Sequence, residues 1–363
     1  LANSHRRRVL SPVFDKLRVD DSSNFGGRFV DLFRAESAKR DPHSQAAFAG
    51  LTKTCRVGVN EKCVLCTVIE NKALTMKEHY IDTPTKFVEV DGAAVAYRSI
   101  GTAEGTPIVY LNHLAANLDN CDPQLMDALA ADFKVISFDY PGMGLSAGKC
   151  ATSVEEMARE AIAFIRALGY TKVHLLGLSL GGFVAQSLLA QAPELVDRVI
   201  LAGTGPAGDK GIARVPRITY YDMLRGLCTG RDPRYYLFFP STSEAKHRAK
   251  AFILRTALRR DRDKSTTLSA LRRQLKAVVG WAKAERQDLS GVQHRIWVVN
   301  GDNDRMVPTA GSYDMARRLP NATLTIIEGV GHGAIFQEPE LFSIQATAFY
   351  KASEKNVTTS ETK

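Results

Sequence analysis

From Thr85 onward the chain alternates two hydrophobic rhythms. Short runs that are apolar almost throughout stand at Pro107–Leu111, Lys134–Phe138, Lys172–Leu176, Arg198–Ala202, Arg295–Val299 and Thr323–Ile327. Between them lie longer segments with apolar residues at helical spacing, among them Ser153–Leu168, Gly181–Gln191, Gly311–Leu319 and Pro339–Lys351. A strand apolar on consecutive residues is buried on both faces, so the alternation predicts an α/β fold: a mostly parallel sheet with helices on both faces. Ahead of it, Phe87–Val90 and Ala94–Tyr97 flank Asp91-Gly92, a strong hairpin signal that puts antiparallel strands at one edge.

One insertion interrupts the alternation. Between Thr204 and Asp288 no convincing strand occurs, and helical patterns follow one another at Ile218–Gly226, Arg234–Phe239, Ser243–Arg260 and Leu268–Arg286. A helical block after which the sheet resumes reads as a cap over one end of the sheet. The expected organisation is therefore an irregular segment over 1–80, a first core part over 81–205, the cap over 206–290, a second core part over 291–352 and a polar tail over 353–363. The first segment is polar, with a weak helical pattern near Gly27–Ala38, and Met76-Lys77-Glu78-His79 reads as a natural translation start. It is expected to be a disordered or upstream-encoded extension, with a small accessory domain as the alternative.

Composition narrows the class. Hydrophobic residues are 45% and charged residues 24% of 363, ordinary for a globular protein in water. No stretch approaches the roughly 18 apolar residues of a membrane span, and the basic Arg6-Arg7-Arg8 is followed by no apolar run of a secretory signal. Six cysteines in a chain this long do not make a disulfide scaffold, and reduced thiols in a cytoplasmic protein are expected. Cys63-Val64-Leu65-Cys66, with Cys55 and His43 or His79, supplies four zinc-ligating side chains, but no second paired half exists, and neither metal nor cofactor is expected. The net charge of +9 is concentrated between Gly208 and Ser290, which hold 19 Lys and Arg against 8 Asp and Glu. Solvated helix faces account for it; the functional alternative is steering of an anionic substrate by Arg255, Arg259, Arg260, Arg262, Arg272, Arg273 and Lys276. No nucleic-acid motif accompanies it.

The chemistry centres on Gly177-Leu178-Ser179-Leu180-Gly181, a G-x-S-x-G between an apolar strand and a helix. Small residues on both sides permit a turn tight enough to lift the serine hydroxyl above the sheet. A serine needs a base, and the base an orienting carboxylate, on loops after later strands. His332 lies between Gly331 and Gly333 just past one strand, and Asp302 and Asp304 follow another, with either aspartate open as the acid. An oxyanion hole needs two backbone donors: Leu180, directly after the serine, and Leu114, in the loop after Pro107–Leu111. Phe183, Tyr220, Tyr221, Leu224, Phe238, Phe239, Val307 and Phe336 are candidate pocket lining, although such residues at helical spacing are more often packing.

From about Phe87 to Tyr350 the chain resembles the α/β-hydrolase superfamily, in the branch of small esterases, cofactor-free haloperoxidase-like enzymes and C–C bond hydrolases. The resemblance rests on Gly177–Gly181, on Gly301-Asp302-Asn303-Asp304-Arg305-Met306-Val307-Pro308, on Gly331-His332 and on Asp139-Tyr140-Pro141-Gly142-Met143-Gly144-Leu145-Ser146. It implies Ser179 as nucleophile, His332 as base and the second aspartate, Asp304, as acid. It departs at Asn112-His113, where that superfamily usually has His-Gly. A serine nucleophile argues against dehalogenase or epoxide hydrolase chemistry, which similar enzymes run on aspartate. The expected function is hydrolysis of a carboxylic ester or lactone, a small-molecule substrate. C–C hydrolysis, perhydrolysis and a slow-turnover ligand receptor are the competing readings, and neither substrate nor oligomeric state is written in the sequence.

Overall fold

The computed structural model describes residues 78–352. The expectations placed on the extension, the helix near residues 27–38, the cysteines up to Cys66 and the tail lie outside the described residues. Eight strands form one sheet: β1 (Lys86–Val90), β2 (Ala93–Ile100), β3 (Ile108–Leu111), β4 (Val135–Phe138), β5 (Val173–Leu178), β6 (Val196–Ala202), β7 (Arg295–Gly301) and β8 (Ala322–Ile327). Their spatial order is β1-β2-β4-β3-β5-β6-β7-β8. β2 pairs antiparallel with β1 and β4, and every other pairing is parallel. The hairpin turn has positive φ at Asp91 (49°) and Gly92 (77°), the mirror-image turn whose twist matches that of the strands.

The parallel strands divide their side chains between two cores. Val109, Leu111, Leu175, Val199 and Val298 face one, and Ile108, Tyr110, Leu176, Ile200 and Val299 the other. This is the period-two alternation that turns a continuous apolar run into two buried faces. The first core is covered by α2 (Val154–Ala167) and α3 (Leu180–Gln191), the second by α1 (Pro123–Ala130) and α10 (Pro339–Lys351). α2 starts where Ser153 Oγ accepts from the Glu156 N–H. α3 is buried on all sides from Leu180 to Leu189, which is why its sequence is apolar all round. No described helix is long and apolar enough to cross a membrane.

Between β6 and β7 come α4 (Val215–Thr229), α5 (Arg234–Leu237), α6 (Ser243–Thr256) and α7 (Leu268–Lys283), followed beyond β7 by α8 (Thr309–Arg318) and, after β8, α9 (Ala334–Gln337). The inserted helices share both cores. Trp281 of α7 stacks on Phe183 of α3 at 5.6 Å and donates from its indole to Gly205 O. Phe252 of α6 stacks on Phe336 of α9 at 4.5 Å.

Of the seven basic residues named for steering, Arg255, Arg259, Arg262 and Arg273 are hydrogen-bonded within the fold. Arg255 makes two bonds to the buried carboxylate of Asp122, the cap of α1. Arg259 is buried and donates to Ile81 O and Thr83 O. Arg262 donates to Thr256 O, and Arg273 to Cys150 O. Arg260, Arg272 and Lys276 are exposed. Beneath them the fully buried Arg98 of β2 bridges Asp119 and Asp263, both at 2.9 Å, joining the sheet to the insertion. Packing also reaches back to Tyr80, whose buried hydroxyl donates to Leu118 O, so the described fold begins ahead of the expected boundary at 81.

Removing one member of a buried ion network leaves the others unpaired, at a cost of about 3–5 kcal/mol. Arg98→Met is therefore expected to lower unfolding free energy by that amount in urea titrations. A loss below 1 kcal/mol, within the range of about 0–1 kcal/mol for exposed pairs, would show that the network bears no such load.

Candidate active site

Ser179 sits where β5 turns into α3, at φ 56° and ψ −115°. A side chain in this region is strained by about 1–3 kcal/mol, and surrounding packing must impose it. It does so through glycines. A Cβ on Gly181 would stand 1.9 Å from Leu111 O, and one on Gly177 would stand 2.6 Å from Gly181 O. Only bare Cα atoms let the start of α3 lie against the end of β3 and the end of β5. Ser179 N–H donates to Ala202 O, and Thr204 Oγ1 donates to Ser179 O at 2.9 Å. Leu180 is the first residue of α3, where backbone N–H groups have no acceptor within the helix.

His332 follows β8, and Asp304 follows β7. His332 Nδ1 and Asp304 Oδ2 are 2.7 Å apart, with the histidine 2% and the aspartate side chain 0% exposed. The other carboxylate oxygen of Asp304 accepts from the N–H groups of Met306 (2.8 Å) and Val307 (2.9 Å), which fixes its plane. Because the carboxylate accepts from Nδ1–H, the Nε2 of neutral His332 carries the lone pair. Asp302, by contrast, is exposed and accepts from Asn303 Nδ2. Gly203 lets the histidine loop close on β6: a Cβ there would meet His332 O at 2.9 Å and Nδ1 at 3.4 Å. Ser179 and His332 thus both pack on residues 202–204, at and just beyond the end of β6.

The loop after β3 completes the surroundings. Leu114 is half-buried, next to Ala115, which has a positive φ of 61°. Two side chains of the insertion hold that residue. Gln274 of α7 accepts from the Ala115 N–H at 2.8 Å, and Thr266 donates to Ala115 O at 2.8 Å. His113 is buried and donates from Nδ1 to Leu114 O at 2.9 Å, leaving its buried Nε2 as an acceptor with no partner in the protein. Burial pushes its pKa down to about 3, against the opposing pull of the Leu114 carbonyl.

Of the expected pocket residues, Phe238 and Phe336 lie at the site. The Phe238 ring is 5.8 Å from His332 and 4.9 Å from His113, and Phe336 is 6.3 Å from His113. Phe183 and Val307 are buried in the first core, and Phe239 packs near Phe252 in the second. Tyr220 and Leu224 are half-buried. Tyr221 corrects the expectation: it is 50% exposed, because the inward face of α4 is formed by Thr219, Asp222 and Gly226. Sequence reasoning missed Thr204, Gly203 and Gln274, which act through backbone positioning and carry no motif. Among the described residues no group of three His, Cys, Asp or Glu is placed to hold a metal.

A family model for the alpha/beta hydrolase fold matches residues 106–339, more than half of the chain. The chain belongs to the alpha/beta hydrolase fold family. It is 29% identical to a poly(3-hydroxyalkanoate) depolymerase of Ectopseudomonas oleovorans over 68% of this chain and 84% of that one. It is 27% identical to a pimeloyl-[acyl-carrier protein] methyl ester esterase of Nitrosomonas europaea over 66% and 94%. Among solved structures, an alpha/beta hydrolase fold protein from Chitinophaga pinensis superposes with a TM-score of 0.72 at 31% identity, covering 76% of this chain and all of that one. Family and relatives together make this α/β-hydrolase a hydrolytic enzyme.

Two measurements check the geometry without a substrate. The Nδ1 proton of His332 should give a far-downfield NMR resonance that disappears in Asp304→Asn and persists in Asp302→Asn; the opposite pattern would exchange the aspartates. His113 titrates near 6.5 when unfolded and at about 3 when folded. Between those values the unfolded chain holds one more proton, so this stability is complete above about 6.5 and is lost as pH falls toward 3. The slope is about 1.4 kcal/mol per pH unit. His113→Phe should flatten the acid limb of a urea-denaturation pH profile by that slope, and an unchanged limb would show that His113 protonates in the folded protein.

Proposed function

We propose that this hydrolase cleaves a carboxylic ester or lactone through an acyl-enzyme on Ser179. The observation that carries the reading is the convergence of the strained Ser179 turn and the buried Asp304–His332 pair on the end of β6. The names of the depolymerase and the methyl ester esterase above describe ester cleavage and support it.

In this mechanism His332 Nε2 takes the hydroxyl proton as Ser179 Oγ bonds to the acyl carbon, and the carbonyl π electrons move onto oxygen. Asp304 stabilises the resulting imidazolium and keeps its Nδ1 in place. The oxyanion is met by the N–H groups of Leu180 and Leu114. Collapse breaks the C–O bond, and His332 returns the proton to the leaving alkoxide. Water then attacks the acyl-enzyme, losing a proton to His332, and the second collapse releases the acid and regenerates the Ser179 hydroxyl. The neighbouring Phe238 and Phe336 rings, with buried His113 kept neutral, make a weakly polar surrounding in which these donors act at low dielectric.

An activated ester such as p-nitrophenyl butyrate should give a burst of p-nitrophenol and an acyl adduct on Ser179 by mass spectrometry. Ser179→Ala should abolish both with the fold intact. Asp304→Asn should lower kcat by about 10⁴, and Asp302→Asn by less than about tenfold, since an exposed side chain away from the imidazole makes no transition-state contact. Burst and turnover surviving in Ser179→Ala would sink the mechanism, and the reverse ranking of the aspartates would move the acid role.

A further inference from the structure

A cavity of about 660 Å³ opens beside the histidine loop, with Gly331 and His332 in its wall. The rest of the wall comes from α4, α5, the Phe238–Ser241 segment, α6 and the acid loop. Four cations line it, Arg225, Arg231, Lys246 and Arg305, and no acidic side chain does. The cavity is within the size range of a small-molecule site.

The cations are not equivalent. Arg305 of the acid loop pairs with the buried Asp222 of α4 and donates to Tyr236 O, so it braces the wall. Arg225 lies over the Tyr236 ring at 4.0 Å and Arg231 over the Tyr235 ring at 4.9 Å, the two rings meeting edge to face at 5.1 Å. Tyr236 is itself fixed by a hydrogen bond between its hydroxyl and Thr229. A guanidinium held flat on an aromatic face keeps its N–H edges available for a planar anion. Neither Arg225, Arg231 nor Lys246 has an ion pair among the described residues. The neighbouring arginines do: Arg234 with Asp232, Arg248 with Glu244 and Glu338, and Arg255 with Asp122. Three cations without an ion pair among the described residues, Arg225, Arg231 and Lys246, thus face one wall.

We propose that the cavity is a substrate subsite for an organic anion, a carboxylate or phosphate group carried by the ester away from its scissile bond, and that Arg225 and Arg231 bind it. The inference rests on the ester-hydrolase reading, because His332 is what joins the cavity to the reacting centre. Three unpaired cations facing one concavity repel each other, and a bound anion relieves that repulsion as well as gaining charge-assisted hydrogen bonds. The aromatic floor suits an apolar chain between anion and ester.

The test pairs two esters of equal length, p-nitrophenyl octanoate and the monoester of p-nitrophenol with suberic acid, which ends in a carboxylate. The ratio of kcat/KM for the suberyl ester to that for the octanoyl ester should fall at least tenfold in Arg225→Gln/Arg231→Gln, with the change mainly in KM. In parallel, calorimetry on Ser179→Ala measures binding of suberate and of octyl phosphate, which separates carboxylate from phosphate preference. Binding of at least one, lost when Arg225→Gln/Arg231→Gln is added, supports the subsite even if no ester is turned over, and that combination would overturn the ester reading alone. An unchanged ratio of the two esters, or no binding of either anion, would overturn the subsite while leaving a functioning hydrolase in place.

Discussion

Ser179 is held at φ 56°, and the centre of the molecule is arranged to keep it there. The strain is opposed by backbone contacts that only glycine allows: Gly181 against Leu111 O, and Gly177 against the first turn of α3. Those contacts require β3 and β5 to be neighbours, which the sheet order provides although α1, β4 and α2 lie between them in the chain. Once β3, β5, β6, β7 and β8 run parallel, their C-terminal ends lie at one edge. The loops bearing His113, Ser179, Thr204, Asp304 and His332 all leave from that edge. The chemistry is assembled by sheet topology, and the loops need little structure of their own beyond bonds such as those from Met306 and Val307 N–H to Asp304.

The inserted helices belong to the same argument. A strained loop residue such as Ala115 needs partners for its N–H and C=O, and both partners, Gln274 and Thr266, come from the insertion. Arg98, Asp119 and Asp263 clamp the two regions together beneath that loop. A polar network inside a fold contributes little net stability over an apolar core, but breaking it is costly. The insertion is therefore a structural wall of the loop after β3.

The parts legible in the sequence were those governed by local rules. Apolar runs marked β3 to β8 and the Asp91-Gly92 turn marked the hairpin of β1 and β2, so all eight strands were expected within a few residues. The turn at Ser179 was legible because a glycine stands two residues to either side of the serine, whereas the strand ends offered His332 with either Asp302 or Asp304, and only the superfamily resemblance favoured Asp304. What was not legible depends on partners far along the chain. Arg255 and Asp122 are 133 residues apart, and nothing local distinguishes Arg255, which is committed, from Arg225, which is not. Charge density over residues 208–290 was visible, but which of its cations find partners was a property of the fold. α1 was missed because its eight residues are short for a periodicity reading, although Asp122-Pro123 is a recognisable start. Tyr80 was assigned to an irregular segment because one buried aromatic carries no pattern.

The burial of the reacting groups bears on what the neighbouring charge can do. Ser179 is 7% and His332 2% exposed, and the rings beside them are apolar. Such surroundings strengthen hydrogen bonds to a developing oxyanion but offer nothing to hold a charged substrate group, which would pay heavily to be desolvated there. Under the proposed ester mechanism, a substrate bearing an anion would keep that group outside the apolar centre while placing its ester within it. The cation-lined cavity, with His332 in its wall, would meet this requirement: the Arg225 and Arg231 guanidinium groups are held flat on tyrosine rings. Binding energy gained there, remote from the scissile bond, would serve to orient the ester against Ser179 rather than to stabilise the ground state at the reacting carbon. On this account the separation of charge recognition from bond cleavage follows from the dielectric contrast between the two sites.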